Sequence, residues 1–274
     1  MKIISWNLLR LTGATVEDVA ALIKKHRPDL LLMQEATEEV TALPALAGGY
    51  VRRQPLHGRV YGLAAWSPHP LAPSDALPLP VSTMPGRVPP RLAQIVRVGG
   101  INFANVHLSH GQILNRRQLS RVARSLNGPT AIIGDYNAVG PILLAAFNDV
   151  GPRQPTHLAN NIISFRLDRC MVRGLQCSSA QVLERGPSDH HPIVLILSEG
   201  SESEGRIEQG LSLRAAQSRI RLLPLVHSNW LRSATRSSGR ARVPEPVRRA
   251  RKLMRTGRKR ATKPLSAGGN HPIE

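Results

Sequence analysis

Carboxylate, amide and imidazole side chains recur in this sequence where short apolar runs end. Asn7 closes the run at residues 2–6, and Glu35 closes residues 29–34. His107 closes residues 101–106, and Asp135 and Asn137 follow residues 130–134. Asp168 lies within residues 162–172, and the Asp189-His190 pair precedes residues 192–197. These types are suited to phosphate ester hydrolysis. The reaction needs a hard cation to neutralise non-bridging oxygens, and carboxylates such as Glu35 hold Mg2+ or Mn2+. It needs a group that positions or deprotonates the attacking water, a role open to Asp135 or His190. It also needs donors aimed at phosphoryl oxygens, for which Asn7, Asn137 and His107 are suitable. A histidine beside a carboxylate is held in one tautomer and made more basic, and Asp168 is a candidate partner for His190. Arg116 and Arg117, soon after His107, are candidate phosphate-binding residues.

Each piece has a plainer structural reading. Gly134-Asp135-Tyr136-Asn137 is also a turn signature, Glu35 a strand-end cap, and Asp168 between Arg166 and Arg169 a surface ion pair. Ser188-Asp189-His190-His191-Pro192 is more specific, because two acid–imidazole neighbours before a buried strand have little structural purpose.

The elements that must position these residues alternate between two periods. Residues 2–6, 29–35, 130–134 and 192–197 are short apolar runs, the mark of strands buried on both faces. Residues 15–27 form a helix: Thr15 caps it, Glu17 and Asp18 occupy its first turn, and Lys24, Lys25 and Arg27 its last. Residues 112–126 are a second helix. Residues 93–98 and 101–107 read as a hairpin turning on Gly99-Gly100. Residues 67–90 are proline-rich and read as a loop or irregular crossover, and residues 162–172 and 175–183 as two further strands. Buried strands alternating with helices, with a hairpin inserted, define an α/β domain.

Residues 1–197 carry 20 Lys and Arg against 12 Asp and Glu, a net of +8 within a chain total of +19. Such a surface suits polyanionic partners. Residues 198–205 are a low-complexity polar linker. Between 232 and 263 there are 13 basic residues against the single acid Glu245, with no apolar periodicity, so residues 198–274 are expected to be a linker and a disordered basic tail. That tail suits either a phosphate-binding arm or a solvated appendage. No transmembrane run or secretory signal is evident. Cys170 and Cys177 are too few for a disulfide framework, which points to a reducing, cytoplasmic setting. Oligomeric state leaves no sequence signal.

The combined order of the polar residues resembles the endonuclease/exonuclease/phosphatase superfamily, the group of exonuclease III and deoxyribonuclease I. The matching segments are Ser5-Trp6-Asn7, Leu32-Met33-Gln34-Glu35, Asn105-Val106-His107-Leu108, Gly134-Asp135-Tyr136-Asn137, Arg166-Leu167-Asp168 and Ser188-Asp189-His190, all within a catalytic domain at 1–197. The resemblance implies a four-layer α/β/β/α sandwich of two β-sheets flanked by helices. It implies that Glu35 binds the metal with Asn7 and Asp189 near it, and that Asp168 orients His190. It further implies that Asp135 aligns the water, Asn137 touches phosphate, and His107 is a phosphate contact or general acid. The proton falls to the Asp135/His190 pair jointly. The domain is short for this superfamily, and residues 67–90 hold no aromatic wedge, which argues against abasic-site repair.

The expected activity is therefore a divalent-metal-dependent hydrolysis of phosphate esters. A nuclease acting on DNA or RNA leads. The alternatives are a phosphatase or phosphodiesterase acting on a lipid headgroup or small phosphorylated metabolite, and a binding module that has lost catalysis.

Overall fold

A computed structural model describes residues 1–73, 75–82, 89–159 and 162–200. The chain runs β1 (Lys2–Asn7), α1 (Val16–His26), β2 (Leu30–Ala36), a 3-10 turn at Glu38–Ala42, α2 (Leu43–Ala47), β3 (Tyr50–Pro55) and β4 (Gly62–Ser67). It continues through β5 (Asp75–Pro78), β6 (Leu92–Val98), β7 (Ile101–His107), α3 (Gln112–Ser125), β8 (Thr130–Asp135) and β9 (Asn148–Asp149). The last described elements are β10 (His157–Ala159), β11 (Ile163–Phe165), β12 (Asp168–Arg173), β13 (Leu175–Val182) and β14 (Ile193–Glu199).

Two six-stranded mixed sheets result, ordered β13-β14-β1-β2-β4-β3 and β5-β6-β7-β8-β12-β9, with β10-β11 as a separate ribbon. The alternation of side chains along each strand explains the layering. Ile3, Leu30 and Leu32 of the first sheet pack with Phe103, Ala131, Ile133 and Val172 of the second, forming the core between sheets. Their neighbours Ile4, Leu31 and Met33 face the other way and pack beneath Val19, Ala20 and Ile23 of α1. On the outer face of the second sheet, Ala104, Val106 and Ile132 pack beneath Leu119 and Val122 of α3. Both faces of the central strands are thus covered, and burying each large apolar side chain contributes about 1.5–3 kcal/mol. This is the four-layer sandwich that the resemblance implied.

Helix α1 starts as the sequence predicts. Thr15 Oγ1 accepts from Asp18 N–H at 3.3 Å, and Asp18 returns a bond to Thr15 N–H at 2.9 Å, a reciprocal cap. The hairpin turns on Gly99 and Gly100, both at positive φ as a tight two-residue turn requires.

Some boundaries differ from the expectation. The strand expected over 162–172 is two strands, because Thr156 Oγ1 accepts the N–H groups of Leu167 and Asp168 and takes them out of a continuous ladder. Asp168 therefore heads β12 instead of lying mid-strand. The proline-rich crossover contains the edge strand β5, where Pro78 is tolerated. Strands β3 and β4, which the sequence reading left unassigned, complete the first sheet. The last strand runs two residues past Leu197, into the expected linker. Residues 201–274, the remainder of that linker and the basic tail, lie outside the described residues. Among the described residues no helix is long and apolar enough to cross a membrane.

Candidate active site

The strand register brings the predicted polar residues to one end of both sheets. Parallel pairing aligns His107 of β7 with Asp135 of β8, and antiparallel pairing aligns Asp168 of β12 with the same Asp135. In the other sheet, Asn7 of β1 stands opposite Gln34 of β2. Directly opposed residues share a sheet face, so His107, Asp135 and Asp168 form one row.

Three backbone irregularities aim the side chains. The β2–β4 ladder shifts register between Gln34 and Ala36, and Glu35 within this bulge has φ +54°. A bulge turns one side chain out of the strand's alternation. Gly134, at φ +142°, has its α-carbon so close to Val106 that a Cβ would lie 2.0 Å from the Val106 carbonyl oxygen. Asn137 has φ +47°, a conformation that asparagine tolerates better than most residues.

Asp135 is the hub of the cluster. Its Oδ2 accepts from Asn7 Nδ2 at 3.0 Å and from Asn137 Nδ2 at 3.2 Å, and its Oδ1 accepts from Asn137 N–H at 2.8 Å. His107 Nε2 lies 3.4 Å and His190 Nε2 3.8 Å from the same Oδ2. Burial favours a neutral Asp135, but the two imidazoles and the amide donors outweigh it and hold the carboxyl below its ordinary range. Burial also dominates at His107 and pushes its pKa down to about 3, so that ring is neutral at pH 7. At His190 burial is outweighed by Asp168, Asp135 and Asp189, which together raise the pKa to about 10. The two histidines flanking Asp135 therefore carry different charges.

Asp168 Oδ2 lies 2.8 Å from His190 Nδ1 and fixes the orientation of the ring. The loop carrying His190 is held from several sides. Ser188 Oγ donates to the Asn7 carbonyl at 2.7 Å and accepts from His190 N–H at 3.1 Å, while Trp6 Nε1 donates to the His190 carbonyl at 3.0 Å. Asn105, buried behind Gln34, joins the sheets by donating to the Met33 and Ala64 carbonyls.

Asn7, His107, Asp135, Asn137, Asp168 and His190 are thus brought together, with Asp189 at the edge, its Oδ1 4.0 Å from His190 Nε2. Glu35 sits one residue beyond the Asn7–Gln34 pair and is ion-paired with Arg10 at 2.6 Å. Arg116 and Arg117 are not part of the cluster. They are exposed on α3, while Asn115 and Gln118 beside them are buried.

Sequence reasoning missed three residues. Arg10 pairs with Glu35. Arg91, just before β6, lies within electrostatic reach of Asp135, Glu35 and Arg10, and its Nε and Nη1 are buried with no hydrogen-bond partner among the described residues. His157 leans on His190, with ring centroids 4.5 Å apart. Neither arginine carries a motif, and His157 falls inside a stretch without strong periodicity. A separate open hollow of about 900 Å3, lined by residues of the 140–149 loop with Arg153, Arg166 and Arg169, contains none of the cluster residues.

The donor set fits a hard divalent cation. Glu35, Asn7 and Asp189 offer oxygen atoms, and Asp189 Oδ1 is buried without a hydrogen-bond partner among the described residues. The groups Asp135–Asp168–His190 and His157–Asp189–His190 each bring one ligand atom per residue within 4.8 Å of the others.

This fold and constellation define a hydrolase of phosphate esters. The model of the Endonuclease/Exonuclease/phosphatase family matches residues 4–190, and the chain belongs to that family. Its members are phosphoesterases, in general dependent on divalent metal. No curated protein sequence matches the chain. Among solved structures it is similar to an endonuclease/exonuclease/phosphatase from Beutenbergia cavernae, with 20% identity and TM-score 0.58, over 73% of this chain and 72% of that one. It is similar to a humanized D. rerio TDP2 (18%, TM-score 0.57, 72% of this chain, 98% of that one). It is likewise similar to the Bacteroides thetaiotaomicron mannosyl-6-phosphatase Bt3783 (17%, TM-score 0.58, 72% and 99%). At these identities the likeness is one of fold.

Proposed function

We propose that the domain is a divalent-metal-dependent nuclease that cleaves phosphodiester bonds of DNA or RNA. The observation that carries this reading is the Asp135 hub: one buried carboxylate contacted by Asn7, Asn137, His107 and His190, with Asp168 behind His190. The net charge of +19 favours a polyanionic substrate over a neutral one.

Glu35, Asn7 and Asp189 would hold Mg2+ or Mn2+, which neutralises charge on the phosphoryl oxygens. The protein's own residues divide the remaining work. His190, which holds a proton, donates from Nε2 to a phosphoryl oxygen as charge builds there. Asp135, ionised, accepts from the attacking water and aligns it. His107 is neutral at pH 7, which favours a hydrogen-bonding contact over a general acid. Arg91, with unpaired donors beside the hub, meets the phosphate directly, because a buried guanidinium without an anion is costly and substrate supplies one.

A second reading, a phosphatase or phosphodiesterase for a lipid headgroup or small phosphorylated metabolite, is favoured by two guanidiniums near the site, Arg10 and Arg91, which match a dianionic monoester. Incubation of the full chain and Mg2+ with plasmid, structured RNA, a bis-aryl phosphate and aryl phosphate monoesters separates them. Acid-soluble nucleotides released by wild type and not by His190→Ala are the expected result. Turnover of an aryl ester with nucleic acid left intact would overturn the nuclease and leave the compact substrate. Absence of any turnover would leave a binding module.

A further inference from the structure

We propose that His157, Asp189 and His190 form a second cation site, overlapping the first at Asp189, that takes borderline transition ions such as Zn2+ and thereby occupies the imidazole of the active site. The three residues come from β10 and the loop before β14, and nothing in the phosphoesterase site requires His157 to be a histidine. Its Nε2 lies 3.4 Å from Asp189 Oδ2, and Asp189 Oδ1 lies 4.0 Å from His190 Nε2. His157 Nδ1 and Asp189 Oδ1 are both buried without a hydrogen-bond partner among the described residues. The Asp189 Oδ1 orphan costs about 1–3 kcal/mol, a cost that an ion ligated by that oxygen would relieve; His157 Nδ1 faces away from the ion and is not relieved by it.

The backbone sets the spacing in advance. His157 and His190 form an antiparallel bridge, Leu158 N–H donates to the Asp189 carbonyl at 2.9 Å, and His191 N–H donates to the Thr156 carbonyl at 2.7 Å. Two imidazoles and one carboxylate make a donor set for Zn2+ and its neighbours, whereas Mg2+ prefers oxygen throughout. A tetrahedral ion bonded at about 2.0–2.1 Å holds its ligands about 3.3–3.4 Å apart. The His157 Nε2–Asp189 Oδ2 separation matches, whereas His190 Nε2 approaches the other oxygen, Oδ1, so ligation through one oxygen needs the carboxylate to turn and the three ligand atoms, now within 4.8 Å of one another, to close in. His190 Nδ1 is bonded to Asp168 at 2.8 Å, so Nε2 is the nitrogen left to face an ion, and the proton that Nε2 carries is released to solvent as the ion binds.

An ion held there engages His190 Nε2, the atom that faces Asp135. Zinc-class ions then arrest the hydrolysis that Mg2+ supports. This consequence rests on the phosphoesterase reading, whereas the site itself does not.

Equilibrium dialysis of the chelator-stripped full chain against micromolar Zn2+ in excess Mg2+ tests the site, with Co2+ as an absorption probe of low-coordinate binding. Wild type is expected to retain zinc and Glu35→Gln to retain it equally. His157→Ala and His157→Gln are expected to bind about 10- to 100-fold more weakly and to lose the cobalt spectrum. Zinc inhibition, scaled to each variant's own zinc-free rate, should move to at least about tenfold higher zinc in His157→Ala. Equal zinc affinity in wild type and both His157 variants overturns the proposal, as does the absence of binding to wild type at micromolar zinc. If the variants do not fold, spectra of 15N-histidine-labelled wild type decide: zinc must perturb two imidazoles, and fewer than two overturns the site. Dialysis and spectra read the site even if no ester is turned over, so the two failures are distinct.

Discussion

His190 Nδ1 lies 2.8 Å from Asp168 Oδ2, and both side chains are buried. In Asp168→Asn the amide cannot both match the charged ring and keep its orientation. We expect kcat on a bis-aryl phosphate to fall by about 100-fold or more with KM little changed, since the interaction acts on the reacting imidazole and not on substrate binding. Steady-state kinetics check this. A loss confined to KM would refute the orienting role.

In the proposed mechanism Arg91 meets the phosphate at a cost in stability. Its Nε and Nη1 are buried and unpartnered among the described residues, and burial lowers its pKa from the ordinary arginine value despite nearby acids. Arg91→Met should leave thermal stability unchanged or raise it, while KM rises by about tenfold or more. Melting curves and kinetics on the same sample test the pairing. A destabilised Arg91→Met with unchanged KM would show that the guanidinium is structural.

Glu35 is aimed by its bulge, so its contribution should appear as metal linkage. Saturating Mg2+ at about 100 times its Kd stabilises a folded protein by about 2.7 kcal/mol. For a domain of this size that corresponds to a rise in Tm of about 5–10 °C. Glu35→Gln should abolish this rise and leave the metal-free Tm near that of wild type, because Arg10, the partner that it loses, is half-exposed and can turn to water, so the pair is worth about 0–1 kcal/mol. An undiminished Mg2+ shift in Glu35→Gln would remove Glu35 from the cation site.

Away from the site, Asp149 is ion-paired with Arg166 at 2.7 Å and Arg169 at 3.2 Å. Burial opposes its ionisation, but these arginines hold its carboxyl below the usual range. The unfolded chain therefore binds this proton at higher pH than the folded one. The contribution is present above the ordinary aspartate pKa, near pH 4, and is lost as pH falls through the folded value. Asp149→Asn should cost about 2–3 kcal/mol at pH 7, since it leaves the buried Arg169 uncompensated, and the difference from wild type should shrink below pH 4. Urea denaturation at pH 7 and pH 3.5 reads both. A difference that is the same at the two pH values would exclude the linkage.

Much of the architecture was legible in the residues themselves. Thr15 and Asp18 announce a cap, Gly99-Gly100 a hairpin, and runs such as Leu30–Met33 a strand covered on both faces, because caps, turns and burial act over a few neighbouring residues. The α3 register was legible too. Leu119 and Val122 define a buried face that Asn115 and Gln118 share at helical spacing and that Arg116 and Arg117 do not. Those two arginines follow His107 closely in sequence, and helical spacing puts them on the exposed face of α3.

The sequence by itself determined which polar types close the strands, and so the class of chemistry available. Only the tertiary structure decided which of them meet. Asn7 reaches Asp135 across 128 residues, Glu35 leaves the strand alternation at a bulge, and Arg91 and His157 lie beside a cluster that no local pattern assigns to them. Strand register across two sheets sets those encounters, and register is fixed by packing between segments that are distant in the chain.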